Sequence, residues 1–179
     1  MIPRMASAAH VAVGAVLGRF FFRHPPSLAD FLLAQVVFIG LALAPDLDLF
    51  GYLHGVPYLS EFGHRGASHS LLAALLLALF VTLIGRIWEL PFWRTFALAF
   101  IAAASHGLLD MLTTGGQGIA LFWPVDSHRY FFPWRVIPVA PIGGRLIYSW
   151  RGWGIVAEEF AWCLPLFVYA WFPRGWFRR

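Results

Sequence analysis

Five apolar stretches, residues 7–22, 28–45, 69–86, 93–112 and 154–172, run through the chain with helix breakers between them. Each approaches the roughly 17–25 residues that a helix needs to cross a bilayer. The breakers are Pro25-Pro26, Pro45, Gly63 with Gly66, Pro91, and the run Gly115, Gly116 and Gly118. Only 12% of the 179 residues are charged and 60% are hydrophobic, against roughly 25% charged in soluble domains. So few charges cannot clothe a water-facing surface, and much of the surface must face lipid. The expected fold is all-α: a single polytopic membrane bundle of about five transmembrane helices spanning residues 1–179. The first stretch is short and carries His10, which suits a tilted or partly inserted helix. It ends in Arg19, Phe20, Phe21, Phe22 and Arg23 rather than in a small-residue cleavage site, and so reads as a retained helix. Residues 113–153, rich in Pro, Gly, Trp and Arg, read as an ordered extramembrane cap.

The formal charge is +4, and all thirteen basic residues are arginine. The terminal RGWFRR is the one basic run, so the electrostatic footprint of a nucleic-acid binder is missing. Cys163 stands alone, which excludes an intrachain disulfide and a cysteine metal cluster.

A five-pass topology sorts the polar residues. Asp46 and Asp48 close the second stretch on the side that holds the N-terminus. His64 and His69 open the third on that side, and His106 and Asp110 end the fourth there. His10, the loop residues Asp126, His128 and Arg129, and Glu158 and Glu159 fall on the same side. Among the histidines and acids, only His24, Asp30 and Glu89 fall on the other. Seven arginines against six, with the seven in short connections or the tail, lean toward an extracytoplasmic polar side under the positive-inside rule.

The local motifs have definite chemistry. In SHGLLDMLTTGG, His106 and Asp110 lie four residues apart and project from one helical face, where they can share a metal ion or hydrogen-bond to each other. In APDLDLFG, Asp46 and Asp48 follow a helix end, where the macrodipole disfavours a carboxylate and calls for a nearby cation. Both read as ligands or as polar helix-end groups. In HRGASHS, Ser68 is placed to cap the helix that begins near His69, and His69 must face the bundle interior to spare its ring nitrogens from lipid. Arg65 offers a planar donor fork that suits a phosphate, a carboxylate or a lipid headgroup. His10, Asp46, His69, His106 and Asp110 together form a nitrogen and carboxylate set suited to zinc, manganese or iron(II). Three histidines and two aspartates exceed one catalytic zinc's usual demand, so one or two ions are expected, with Asp46 bridging a pair.

HRGASHS, the preceding PDLD, the SHGLLDMLTTGG stretch, WPVDSHRYFFP and the early His10 resemble the YdjM family over residues 7–135. That family is described as LexA-regulated membrane-bound metal-dependent hydrolases, and the resemblance implies such an enzyme in a bacterial inner membrane. Ala67-Ser68 stands where a threonine more usually precedes the second histidine. The order His, Asp, His, HxxxD is also similar to that of zinc-dependent phospholipases C, residue by residue only. Their further HxxxE ligand has no counterpart here, and Glu158 or Glu159 could at most substitute.

These features point to a membrane-embedded hydrolase that uses a divalent metal, zinc or manganese, to activate water against a phosphoester or related bond of a lipid-like substrate. His10, Asp46, His69, His106 and Asp110 would hold metal, Asp48 or His64 would orient the ligands, and Arg65 and Arg129 would stabilise developing negative charge. The extended segment RYFFPWRVIPVAP would shape the substrate groove. Membrane lipids are the expected partners. A non-catalytic scaffold and a cation transporter are the competing classes, and a transporter should place its ligands near the midplane.

Overall fold

The computed structural model describes residues 4–5, 7–22, 27–138, 140–141 and 150–172. His24, the Pro25-Pro26 breaker and the orientation arginines Arg23, Arg145, Arg174, Arg178 and Arg179 lie outside the described residues. The architecture is the expected helical bundle: α1 (Ser7–Phe21), α2 (Leu28–Leu43), a short α3 (Asp48–Leu53), α4 (Leu71–Gly85), α5 (Phe92–Met111) and α6 (Trp150–Trp171). Four helical runs are long and apolar enough to cross a membrane, namely Leu28–Leu53, Leu71–Trp88, Phe92–Met111 and Trp153–Trp171. Helix α1, at 15 residues, spans about 22 Å, less than the hydrocarbon thickness, in keeping with its shorter apolar run. A two-residue antiparallel pairing joins β1 (Arg4–Met5) to β2 (Ala140–Pro141) and ties the chain's start to the cap.

One sequence expectation is refined and one corrected. Pro45 does close the second helix as an α-helix, which ends at Leu43, but it does not end the helical path. It sits at the start of a 3-10 turn, Ala44–Leu47, where its missing N–H is harmless, and the helical path continues into α3. Ser68 does not cap α4 either. Ser70 does, its hydroxyl accepting the Ala73 N–H at 3.1 Å, while Ala67–His69 forms a separate 3-10 turn.

Helix α1 packs on α2 and α6, and α5 packs on α2 and α4. The α1–α2 contact is backbone to backbone. A Cβ on Gly14 would lie 2.6 Å from the Ile39 Cα, and one on Gly18 would lie 2.9 Å from the Ala34 carbonyl oxygen. Glycines four apart let membrane helices approach this closely, and the approach brings His10 of α1 over the end of α2. The core between them is built from Leu17, Phe21, Ala34, Phe38 and Leu41, with Ala78, Ala99 and Ala102 from α4 and α5.

Candidate metal centre

Four helix ends meet at one edge of the bundle, and each delivers a polar side chain. His106 and Asp110 leave the last turns of α5, Asp46 lies in the turn after α2, His69 in the turn before α4, and His10 in the first turn of α1. His10, His69, His106 and Asp110 are buried, at 0–4% exposure, and Asp46 is the most open of the set with a side chain 10% exposed.

The distances show how they converge. His106 Nε2 lies 3.3 Å from Asp46 Oδ1 and 3.8 Å from Asp110 Oδ2. His69 Nε2 lies 3.6 Å from Asp46 Oδ1 and 3.4 Å from Asp110 Oδ2. Both Nε2 atoms are buried and have no hydrogen-bond partner. Four ligand atoms of this group lie within 4.8 Å of one another. Four bonds of about 2.0–2.1 Å to one zinc ion place neighbouring ligand atoms about 3.3–3.4 Å apart. The observed spacings are long for hydrogen bonds and close to the edges of that tetrahedron, so the residues present fit a divalent ion.

The second ring nitrogens fix the orientation. His106 Nδ1 is 2.6 Å from the Ala42 carbonyl, which requires it to carry the proton and turns the Nε2 lone pair inward. His69 Nδ1 is 3.1 Å from Asp48 Oδ2 and 3.0 Å from Ser68 Oγ. Ser68 also donates a short hydrogen bond to Asp48 Oδ2, and His64 Nδ1 lies 2.6 Å from Asp48 Oδ1. Asp48, His64 and Ser68 therefore form a layer behind His69, the carboxylate–histidine arrangement that orients metal ligands. Three carboxylates, those of Asp46, Asp48 and Asp110, thus surround the His69 ring. The point where these groups meet calls for positive charge.

His10 stands beside this group. Its Nε2 is 3.6 Å from Asp110 Oδ1, the other carboxylate oxygen, and its ring stacks on His106 with centroids 3.9 Å apart. Glu159 of α6 accepts the Ala9 N–H at 3.1 Å and so anchors the start of α1 one residue before His10. It occupies no ligand position, and neither sequence spacing nor motif marks this role, since the partners are 150 residues apart.

The two arginines have internal partners. Arg65, 1% exposed, grips Asp110 with both edges of its fork: Nη2 to Oδ1 at 3.0 Å and Nε to Oδ2 at 3.0 Å. Its Nη1 donates to Thr113 Oγ1 and the Gly115 carbonyl. Arg65 has φ 65°, a left-handed conformation that is strained for a side chain of this size. Gly116, at φ +81°, packs where any Cβ would strike the guanidinium. Arg65 is thus engaged by Asp110, Thr113 and Gly115 inside the protein. Arg129 donates to the carbonyls of His64 and Tyr58, both at 3.0 Å, and of Ser60 at 3.3 Å, clamping that loop against the cap. Tyr58, which the motifs do not single out, packs edge-on against His64, and burial pushes its phenol pKa up. Asp126 and His128 bond within the surface of the cap, where the Tyr130 hydroxyl and the His128 N–H hold the Asp126 carboxyl below its ordinary range. Within RYFFPWRVIPVAP, whose Val139 lies outside the described residues, Tyr130 pairs with Ile119 and Ile137 with Thr113.

A family model described as "YdjM inner membrane protein" matches residues 5–177. The chain belongs to the YdjM family. Inner membrane protein YbcI of Escherichia coli strain K12 is 37% identical over 131 residues, covering 72% of this chain and 76% of YbcI. Inner membrane proteins YdjM of Escherichia coli strain K12 and of Shigella flexneri are each 35% identical over 121 residues, 66% of this chain and 52% of theirs. The match thus spans about half the length of those two YdjM proteins. No solved structure matches. Family membership and the apolar helices make this YdjM-family chain a membrane protein.

Proposed function

We propose that this chain is a membrane-embedded metal-dependent hydrolase that cleaves a phosphoester or similar bond in a lipid-like substrate. The carrying observation is the pair of buried, unpartnered Nε2 atoms of His69 and His106 facing Asp46 and Asp110 at tetrahedral-edge spacing. Those four residues would hold the ion, with His10 as a neighbouring fifth donor. A bound divalent ion such as zinc or manganese supplies Lewis acidity and lowers the pKa of water.

Charge balance favours a single ion. Three carboxylates with side chains at most 10% exposed, Asp46, Asp48 and Asp110, face one guanidinium, Arg65, which leaves two negative charges when the histidines are neutral. One divalent cation offsets them, and a second would leave an excess. Arg65 and Asp48 act as positioning residues, through Asp110 and His69 respectively. Asp46, the most open member, marks the side from which a substrate would approach. Leu47, 75% exposed, follows it directly, and Phe50 and Leu53 continue the same outward apolar face of α3. That face supports a substrate with an acyl portion entering sideways from the bilayer. Helix-end placement speaks against a transporter, whose ligands belong near the midplane. Arg65 is neutralised inside the site and drops out of the loop charge balance, which supports an extracytoplasmic centre.

The Arg65–Asp110 grip also suits a second reading, a non-catalytic scaffold with a structural ion. Turnover of a chromogenic lipid-like phosphodiester by the detergent-purified, metal-supplemented protein separates the two. Hydrolysis that requires added metal and vanishes in His106→Ala is the expected result. Metal bound without turnover across phosphodiester, phosphomonoester and carboxylic ester probes would leave the scaffold.

A further inference from the structure

At the opposite end of the bundle, α2 and α4 both pack on α5 and leave a cleft of about 590 Å³ between them. That volume falls within the roughly 300–1,000 Å³ typical of small-molecule sites. The floor is buried and apolar, made by Phe21, Ala34 and Phe38, while Leu33, Ile84 and Trp88 form an exposed rim. The cleft runs along α2 from Asp30 to Phe38, about 12 Å of helix, from the first turn toward the middle of the bundle. Half of a hydrocarbon core is about 15 Å deep, so the cleft has the reach of one leaflet. Water cannot fill an apolar cleft that opens to hydrocarbon, and an empty one would forfeit its packing contacts.

Its mouth is charged and interfacial. Asp30 lines it, bonded to Ser27 at 2.6 Å, and Trp88 sits opposite at the level where tryptophans anchor to headgroups. Two exposed arginines adjoin lining residues in the chain, Arg86 after Gly85 and Arg94 before Thr95. Arg94 Nη2 donates to the Phe20 carbonyl, tying α5 to α1, and Arg86 Nη1 to the Leu90 carbonyl in the turn after α4, which leaves each guanidinium further donors. A carboxylate at the mouth, with two arginines next in sequence to lining residues, complements a headgroup with one ammonium and one phosphate.

We infer that this cleft is a binding site for one phospholipid of the leaflet opposite the metal centre, its acyl chain in the cleft and an amine-bearing phosphate headgroup at Asp30, Arg86 and Arg94. The inference is independent of the hydrolase reading, because no lining residue touches the metal centre. The test is native mass spectrometry of the full chain from micelles doped with equal phosphatidylethanolamine and phosphatidylglycerol. Wild type should retain one phosphatidylethanolamine, preferred by about two- to fivefold, the span of an exposed ion pair. Leu33→Trp, which fills the cleft from its exposed rim, should lose the lipid while keeping the wild-type metal content. Asp30→Asn should keep a lipid but bring the preference to parity. Wild type that retains no lipid, or a Leu33→Trp variant that retains it equally, would overturn the site. Equal retention of the two lipids by wild type would overturn the headgroup assignment.

Discussion

The two ends of the bundle bury their surfaces by opposite means. At the candidate metal centre, four helix ends gather three aspartates, four histidines and an arginine with little solvent exposure, hydrogen-bonded from behind while the His69 and His106 Nε2 atoms are left unpartnered. At the cleft end, the packing is aliphatic and aromatic, with alanines at the helix contacts and one carboxylate at the mouth. The first end is rigid by electrostatics: moving one ligand leaves a charge unpaired in a low-dielectric interior. The second is tolerant, because its apolar surface can be covered equally by protein or by lipid. The contrast teaches where specificity is stored in this chain, and it sets the order of what substitutions should do.

The largest effect should come from Arg65→Met. It leaves the buried Asp110 carboxylate without its fork, a loss on the order of 3–5 kcal/mol, and Arg65→Lys should recover little because an ammonium cannot bridge both oxygens. Thermal unfolding in detergent checks this, and a wild-type midpoint in Arg65→Met would break the picture of an electrostatically rigid end. Next comes Asp48→Asn, which disturbs the support behind His69 without removing a ligand. Metal affinity should fall by about 10–100-fold with the fold intact, as read by competition with a chromogenic chelator. A smaller cost, about 1 kcal/mol, is expected for Glu159→Leu, which removes the acceptor at the start of α1. Glu159→Gln should restore most of it, and in the metal-free protein His10 should become reactive to diethyl pyrocarbonate only in the leucine variant. Smallest of all, Leu33→Trp at the cleft rim should shift stability by less than about 0.5 kcal/mol. A large loss there would show the cleft end to be as constrained as the other.

The sequence carried the helices and the residues of the centre, because both leave local marks. Apolar runs of spanning length predict the bundle, and the sorting of His10, Asp46, His69, His106 and Asp110 to one side predicts their meeting. What it did not carry depends on contacts between distant positions. Ser68 and Ser70 are equally good caps in isolation, and the cap falls to Ser70 because Ala67–His69 turns as a separate 3-10 segment and α4 starts only at Leu71. Arg65 reads as a free anion binder until Asp110, 45 residues on, is placed against it. Arg129 reads likewise until four backbone carbonyls, those of Tyr58, Ser60, His64 and Gly118, occupy its donors. Pro45 reads as a stop and α2 does end at Leu43, but the 3-10 turn that carries the path on into α3 leaves no such local mark.

The central claim is that His69, His106, Asp46 and Asp110 hold one divalent ion. Elemental mass spectrometry of the detergent-purified protein, wild type beside Asp46→Ala and His106→Ala, tests it most directly. The account predicts close to one equivalent of zinc or manganese in wild type, lost in both variants. Wild-type protein that stays metal-free after incubation with those ions would contradict it.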